Sequence, residues 1–300
     1  MVKTFSQVLE AAKEKGPKGL AVAVAEDKEV LRAVKEAKEH NIVVPILVGN
    51  KEKIEEISRE IGLDIKSIEI IDEKDGALAA RKATELVSSS KADILMKGLI
   101  DTPIIMRQVL DKEIGLRGES IISHVAVFEV ESYHKLLFVT DAAMNISPDI
   151  NQKKDILLNA VELAHSMGIK EPKVAVIAAN EKVSEKMEAT VEAKKLADMY
   201  KDGQIKGCIV DGPFALDNAV SKESAKTKKI ESPVAGDADI LLMPDIEAGN
   251  VLYKSLTFLA KAKSAGIILG ARAPIVLTSR ADSQEAKLHS IALSVLLSSK

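Results

Sequence analysis

Short runs of Val, Ile, Leu and Ala alternate with longer runs of helical period along almost the whole chain. Nothing else in the sequence limits the fold as strongly. Two strands that lie parallel in one sheet need a crossover of a dozen or more residues, usually a helix. Strands are expected at Leu20–Ala25, Val43–Gly49, 68–72, 93–98, 173–179, 207–212, 237–245, 266–270 and 274–279. Residues 27–40 place Val30, Leu31, Val34 and Ala37 on one helical face. Helical periods return at 76–89, 103–110, 151–168, 184–200 and 248–266, and after Ser283. The runs "IISHVAVFEV" (121–130) and "KLLFVTD" (135–141) interrupt the alternation. A short polar link separates them, so they are expected to pair as a hairpin. The expected fold class is α/β with mostly parallel sheets.

A chain of 300 residues is expected to form one large or two medium domains. The formal net charge of −3, without a long Lys/Arg block, gives no argument for a nucleic-acid or membrane partner. One cysteine, Cys208, excludes an internal disulfide and a cysteine-based zinc site, and its flanks read as a buried strand. The first residues have an amphipathic helical pattern rather than the apolar core of a signal peptide. No apolar run approaches membrane-spanning length. The expected location is the cytoplasm.

Ligands of open α/β sheets collect beyond the carboxyl ends of the strands. The positions to inspect are therefore Lys97-Gly98, Thr140-Asp141, Asp211-Gly212-Pro213, Pro244-Asp245 and Thr278-Ser279-Arg280. No P-loop, dinucleotide fingerprint or nucleophile elbow is present. The five histidines have no metal-ligand spacing, and His124, at a strand start, is the one placed to lie near a cleft. Gly212 and Pro213 read as a turn into a helix, with Pro213 at its first position, either as plain turn chemistry or facing an anion. Asn250 and Lys254 are i,i+4 neighbours on one helix face. Asp101 or Thr102 is expected to cap a helix with Pro103 at its first position and Arg107 about one turn in. At the last junction, Ser279-Arg280-Ala281-Asp282-Ser283, a cation, a carboxylate and two hydroxyls stand between a strand and a helix. Helix capping explains them, with Asp282 to Glu285 as a capping box; so does an anionic ligand.

The stretches "MKGLIDTPIIMRQVLDKEIGLR", "VTDAAMNISPD", "IVDGPFALDNAV", "VAGDADILLMPDIEAGNVLYKSL" and "PIVLTSRADSQEAKLHSIA" together resemble the phosphate acetyltransferase/butyryltransferase family. The likeness runs in order over nearly the whole chain. "MKGLIDT", "SHVAVFEV" and "TSRADS" are more similar to phosphate butyryltransferases than to the acetyl branch. The resemblance implies a fold like that of isocitrate and isopropylmalate dehydrogenases, two α/β domains with a cleft between them. Residues 1–122 and 274–300 would form the first, closed by the C-terminal helix, and 123–273 the second. It also implies reversible acyl transfer between CoA and inorganic phosphate, by direct attack in a ternary complex without an acyl-enzyme. Acyl-CoA, phosphate and acyl phosphate would be the substrates, with no tightly bound cofactor and no metal. A homodimer or larger homo-oligomer is implied as well.

Carried onto this sequence, the resemblance makes Ser279 the donor to the developing oxyanion and Arg280 the phosphate holder. Arg107 is implied at phosphate or CoA, and Arg81 at CoA. Lys97, Asn250 and Lys254 join them as candidate phosphate or CoA contacts. The acetyl enzymes' catalytic aspartate falls on Ala286 here. Asp282 is the candidate base in its place and Glu285 the second; the forward reaction also proceeds without one if the thiolate leaves and takes its proton from solvent. Competing expectations are a phosphate acetyltransferase, a decarboxylating dehydrogenase and a non-catalytic acyl-CoA-binding relative.

Overall fold

The computed structural model describes residues 2–279 and 282–298. Contacts between Cα atoms divide the chain into two units. The discontinuous unit holds Phe5–Glu119 and the chain from Ala265 onward; the central unit holds Ser120–Ser264 and the N-terminal stretch before Phe5.

The discontinuous unit starts with α1 (Phe5–Lys15), β1 (Lys18–Ala23), α2 (Lys28–Glu39), β2 (Val43–Gly49), α3 (Lys51–Ile61) and β3 (Glu69–Asp72). It continues with α4 (Gly76–Ser88), β4 (Ile94–Lys97) and α5 (Thr102–Val109). Strands β3, β2, β1 and β4 lie side by side, all parallel. Leu20 to Ala23 of β1 are all buried, as expected of a strand covered on both faces. Helix α3 is not among the expected elements, although Asn50 caps it through Lys53 N–H and Gly62 ends it at φ 68°. Asp101 is the residue before α5, but its side chain makes no capping bond there, and Thr102 is the first helical residue.

The central unit contains β5 (Ser123–Glu129), β6 (Leu137–Thr140), α6 (Ile150–Ser166), β7 (Lys173–Ile177), α7 (Glu188–Lys201), β8 (Ile209–Phe214), α8 (Leu216–Val220), α9 (Lys222–Thr227), β9 (Ile240–Leu242) and α10 (Ile246–Lys254). β5 and β6 form the expected antiparallel pair, and β6, β9, β7 and β8 follow in that order, all parallel. Phe128, Val139, Phe214 and Leu241 anchor its core.

Two expectations are corrected here. Pro213 does not open a helix; it lies inside β8, after a cis Gly212–Pro213 bond, and α8 begins three residues later. β8 has a pairing partner, β7, on one side, so a proline's missing N–H is tolerated. Helix α10 also stops early. A π-helical turn, Ser255–Leu259, follows it, and the stretch expected to continue the helix enters β10 (Lys263–Leu269). From Lys263 onward the strand overrides the helical pattern.

β10 pairs antiparallel with the short β11 (Ile275–Val276), which pairs parallel with β4. Helix α11 (Gln284–Leu297) packs on α1 and α2. Among the described residues no helix is long and apolar enough to cross a membrane.

Candidate active site

The ends of β1, β4 and β11 lie together in the discontinuous unit, because β4 pairs with both of the others. β4 ends at Lys97, and Gly98 follows against the end of β1. Gly98 N–H donates to Ala23 O and Leu99 N–H to Val24 O, both at 2.8 Å. A Cβ on Gly98 would stand 2.1 Å from Val24 O, so this approach requires glycine. Val24 takes φ 56°, a left-handed conformation rare for a β-branched residue. Outliers of this kind gather at functional sites. Nearby, Asp27 caps α2 through Val30 N–H at 2.8 Å.

Beyond β11 the chain passes through buried Thr278 to exposed Ser279. Asp282 N–H donates to Ser279 O at 3.1 Å, and Ser279 N–H donates back to Asp282 Oδ2 at 2.6 Å. These two bonds close a turn. The capping residue of α11 is Ser283, whose hydroxyl accepts from Ala286 N–H at 3.2 Å. The expected box from Asp282 to Glu285 is therefore corrected. Ser283 has the extended backbone from which a short hydroxyl reaches the third helical N–H, and the Asp282 carboxylate closes the turn instead. Glu285 is exposed in the first turn of α11, 3.9 Å from His289 Nε2. Arg280 lies outside the described residues.

Asp27, Lys97, Gly98, Thr278, Ser279 and Lys287 line one small pocket. Its two lysines are almost sealed from solvent, Lys97 at 5% and Lys287 at 3% exposure. Lys97 Nζ donates to Gly98 O at 3.3 Å. Lys287 Nζ donates to Ser279 O at 3.4 Å and to Asp282 O. Burial pulls the Lys287 pKa below the ordinary lysine range, against the pull of Asp282, Asp27 and Glu29. Lys287 escaped the sequence reading. Its signal is that α11 is buried from Ala286 to Leu296 on every face, so a lysine there has no solvated side to occupy.

The structure thus brings Lys97, Ser279 and Asp282 together. Arg81 and Arg107 stand on α4 and α5, which pack against each other. Arg81 Nε donates to Glu85 at 3.0 Å and lies 4.0 Å from Glu113; Arg107 is exposed in the last turn of α5. Asn250 and Lys254 share α10 in the central unit. Asn250 Nδ2 donates to Ala142 O at 3.1 Å, and Lys254 is exposed at the helix end.

A second polar centre lies in the central unit, beyond β6. Asp141, 3% exposed, follows a cis Thr140–Asp141 bond. Its carboxylate accepts from the N–H groups of His124, Ala143 and Met144 and from Asn145 Nδ2, at 2.6–3.2 Å. Such a saturated carboxylate fixes the loop. His124 is buried beside it and meets Tyr253 edge to face. Among the described residues no cluster of His, Cys, Asp or Glu could hold a metal ion.

The family model described as phosphate acetyl/butaryl transferase matches residues 3–81 and 77–295. The chain belongs to that family. The match includes the Ser279–Asp282 turn and Lys287. A phosphate butyryltransferase of Clostridium beijerinckii is 52% identical over 300 residues, covering 100% of this chain and 99% of the relative. A phosphate acetyltransferase of Thermotoga maritima is 50% identical, covering 97% and 99%. A branched-chain phosphotransacylase from Enterococcus faecalis V583, seen in a crystal structure, superposes with a TM-score of 0.85 at 35% identity, covering 94% and 99%. This member of the phosphate acetyl/butaryl transferase family has an α/β fold with mostly parallel strand pairing.

Proposed function

We propose that this chain is a phosphate butyryltransferase, which converts butyryl-CoA and phosphate reversibly to butyryl phosphate and CoA. The observation that carries this reading is the 52% identity, over the whole chain, to the Clostridium beijerinckii enzyme. In the forward direction a phosphate oxygen attacks the thioester carbonyl. The carbon–oxygen bond forms, the carbon–sulfur bond breaks, and the phosphate proton ends on the CoA thiol. Ser279, exposed at the start of its turn, donates to the carbonyl oxygen as it becomes an oxyanion. Arg280 holds phosphate through its planar donor fork. Asp282 is the candidate for relaying the proton, and Glu285 is the second. Lys97 supplies positive charge beneath the turn, and Arg81, Arg107, Asn250 and Lys254 are candidate contacts for CoA and phosphate.

The same reading assigns no tightly bound cofactor, a cytoplasmic workplace, the two-domain division and a homo-oligomer. Val251, Phe258 and Leu259 are exposed along α10 and its π-helical turn, which is apolar surface suited to a second copy.

The test is CoA release from butyryl-CoA and acetyl-CoA with phosphate, for wild type and Arg280→Ala. The expected result is faster turnover of butyryl-CoA and a fall of roughly 100-fold or more in the variant. Faster turnover of acetyl-CoA would move the assignment to the acetyl branch, which the 50% identity to the Thermotoga maritima enzyme keeps in view. No release from either thioester would refute acyl transfer and favour a binding protein.

A further inference from the structure

An ammonium buried at 3% exposure is costly unless it is matched by partners. Lys287 has chosen two that belong to the same turn. Its Nζ donates to the main-chain carbonyls of Ser279 and Asp282, the two residues that also bond to each other through main-chain and carboxylate groups. The lysine is thus the third fastening of the turn that presents Ser279, and it acts from the first turn of a helix that is itself rigidly buried. Packing alone would be served at this position by a leucine or methionine, like the buried Leu288 beside it. The charge therefore needs a purpose. The groups facing it are Asp27 and Glu29 at the start of α2, Lys97 at the end of β4, and Asp282 in the turn. The Asp27 carboxylate already accepts from Val30 N–H, and that of Asp282 from Ser279 N–H.

We propose that Lys287 is a positioning residue of the transfer site, fastening the Ser279–Asp282 turn through its two carbonyls and lending positive charge to the anionic oxygen that gathers beside Ser279. This rests on the acyl-transfer reading above. The charge is needed as well as the tether. Activity should then be lost with Lys287 deprotonation at alkaline pH, and an arginine, which keeps its proton there, should retain it.

The experiment compares wild type, Lys287→Met and Lys287→Arg by steady-state CoA release, with butyryl-CoA and phosphate varied, from neutral to alkaline pH. Melting curves monitor folding. The expected result for Lys287→Met is kcat reduced by about 100-fold, because a displaced turn misaligns the reacting atoms, with KM for butyryl-CoA within about twofold of wild type. Lys287→Arg should recover most of kcat and extend activity to higher pH than wild type. A packing role would move neither the alkaline limb nor kcat selectively. Wild-type kcat in a folded Lys287→Met protein would overturn the proposal, as would an alkaline limb in Lys287→Arg identical to wild type. If Lys287→Met does not fold, the pH profile of Lys287→Arg decides. If the wild-type protein releases no CoA from either butyryl-CoA or acetyl-CoA, acyl transfer itself fails and the role of Lys287 falls with it; an active wild type isolates the fate of the Lys287 role.

Discussion

Gly98 offers a test of the pocket that does not touch its charged groups. An alanine methyl there would stand 2.1 Å from Val24 O, 2.7 Å from Ala23 O and 2.9 Å from Val24 C. All three are backbone atoms, so no side chain can swing aside. The end of β4 must draw back from the end of β1 by roughly 1 Å, stretching the two 2.8 Å bonds from Gly98 and Leu99. Overpacking of this kind costs about 1–3 kcal/mol, or a fall in Tm of roughly 4–8 °C at the middle of that range for a domain of about 150 residues. The functional cost should be larger, because Lys97 is bonded to the residue that moves and lines the same pocket as Ser279. A misplacement of about 1 Å can cost on the order of 100-fold in kcat. Gly76→Ala is the control. Its methyl would meet only a Val24 methyl at 3.8 Å, in a helix that favours alanine over glycine. The assay is CoA release from butyryl-CoA, with Tm by circular dichroism. Gly98→Ala with the Tm and kcat of Gly76→Ala would refute the claim that this backbone approach organises the site.

Asp141→Ala leaves the donors of His124, Ala143, Met144 and Asn145 without their carboxylate, and should cost about 3 kcal/mol, read as a lowered midpoint in denaturant melts. Asp237 is held well below the usual carboxylate range. Burial pushes it up, but hydrogen bonds from Lys173, His134 and Lys135 outweigh burial. Its folded pKa lies below its unfolded one, so its contribution, on the order of 2 kcal/mol, is present above about pH 4 and lost as pH falls further. Asp237→Asn should therefore melt lower than wild type at pH 7 and converge with it in acid; a constant gap across pH would contradict the sign. Cys208 is 4% exposed and burial pushes its thiol up to about 11. A thiol reagent should leave it unmodified in the native protein and titrate one thiol after denaturation, so CoA release can be followed by that chemistry without a protein signal.

Much of the architecture was legible because parallel strands buried on both faces read as continuous apolar runs, and nearly every such run became a strand. The β5–β6 pair was legible from its short link. The failures have a common physical origin. Pro213 looks like a helix opener in isolation, and only its pairing with β7 through the neighbouring residues makes it part of a strand. The helical pattern runs on to residue 266, yet from Lys263 the chain is in β10, whose Ile267 and Ile268 pair with β11. The cap of α11 is not a local choice either, because Asp282 and Ser283 are both competent caps and the turn recruits the Asp282 carboxylate.

The candidate site divides along the same line. Ser279, Asp282 and Lys97 can be singled out from sequence because strand ends and polar junctions are local features. Lys287 was not, since its meaning lies in the burial of the whole of α11 and in the direction its ammonium takes. The two facts belong to one arrangement. A turn that presents a hydroxyl at a strand end has few side chains to hold it. Its own carboxylate supplies one bond, from Asp282 to Ser279 N–H. The carbonyls of the same two residues also accept from Lys287 Nζ, which the buried helix α11 delivers on a long side chain. Lysine has that length and adds a charge of the sign that phosphate and an oxyanion both require. An apolar residue at 287 would satisfy the helix and abandon the turn; an acidic one would repel the substrate.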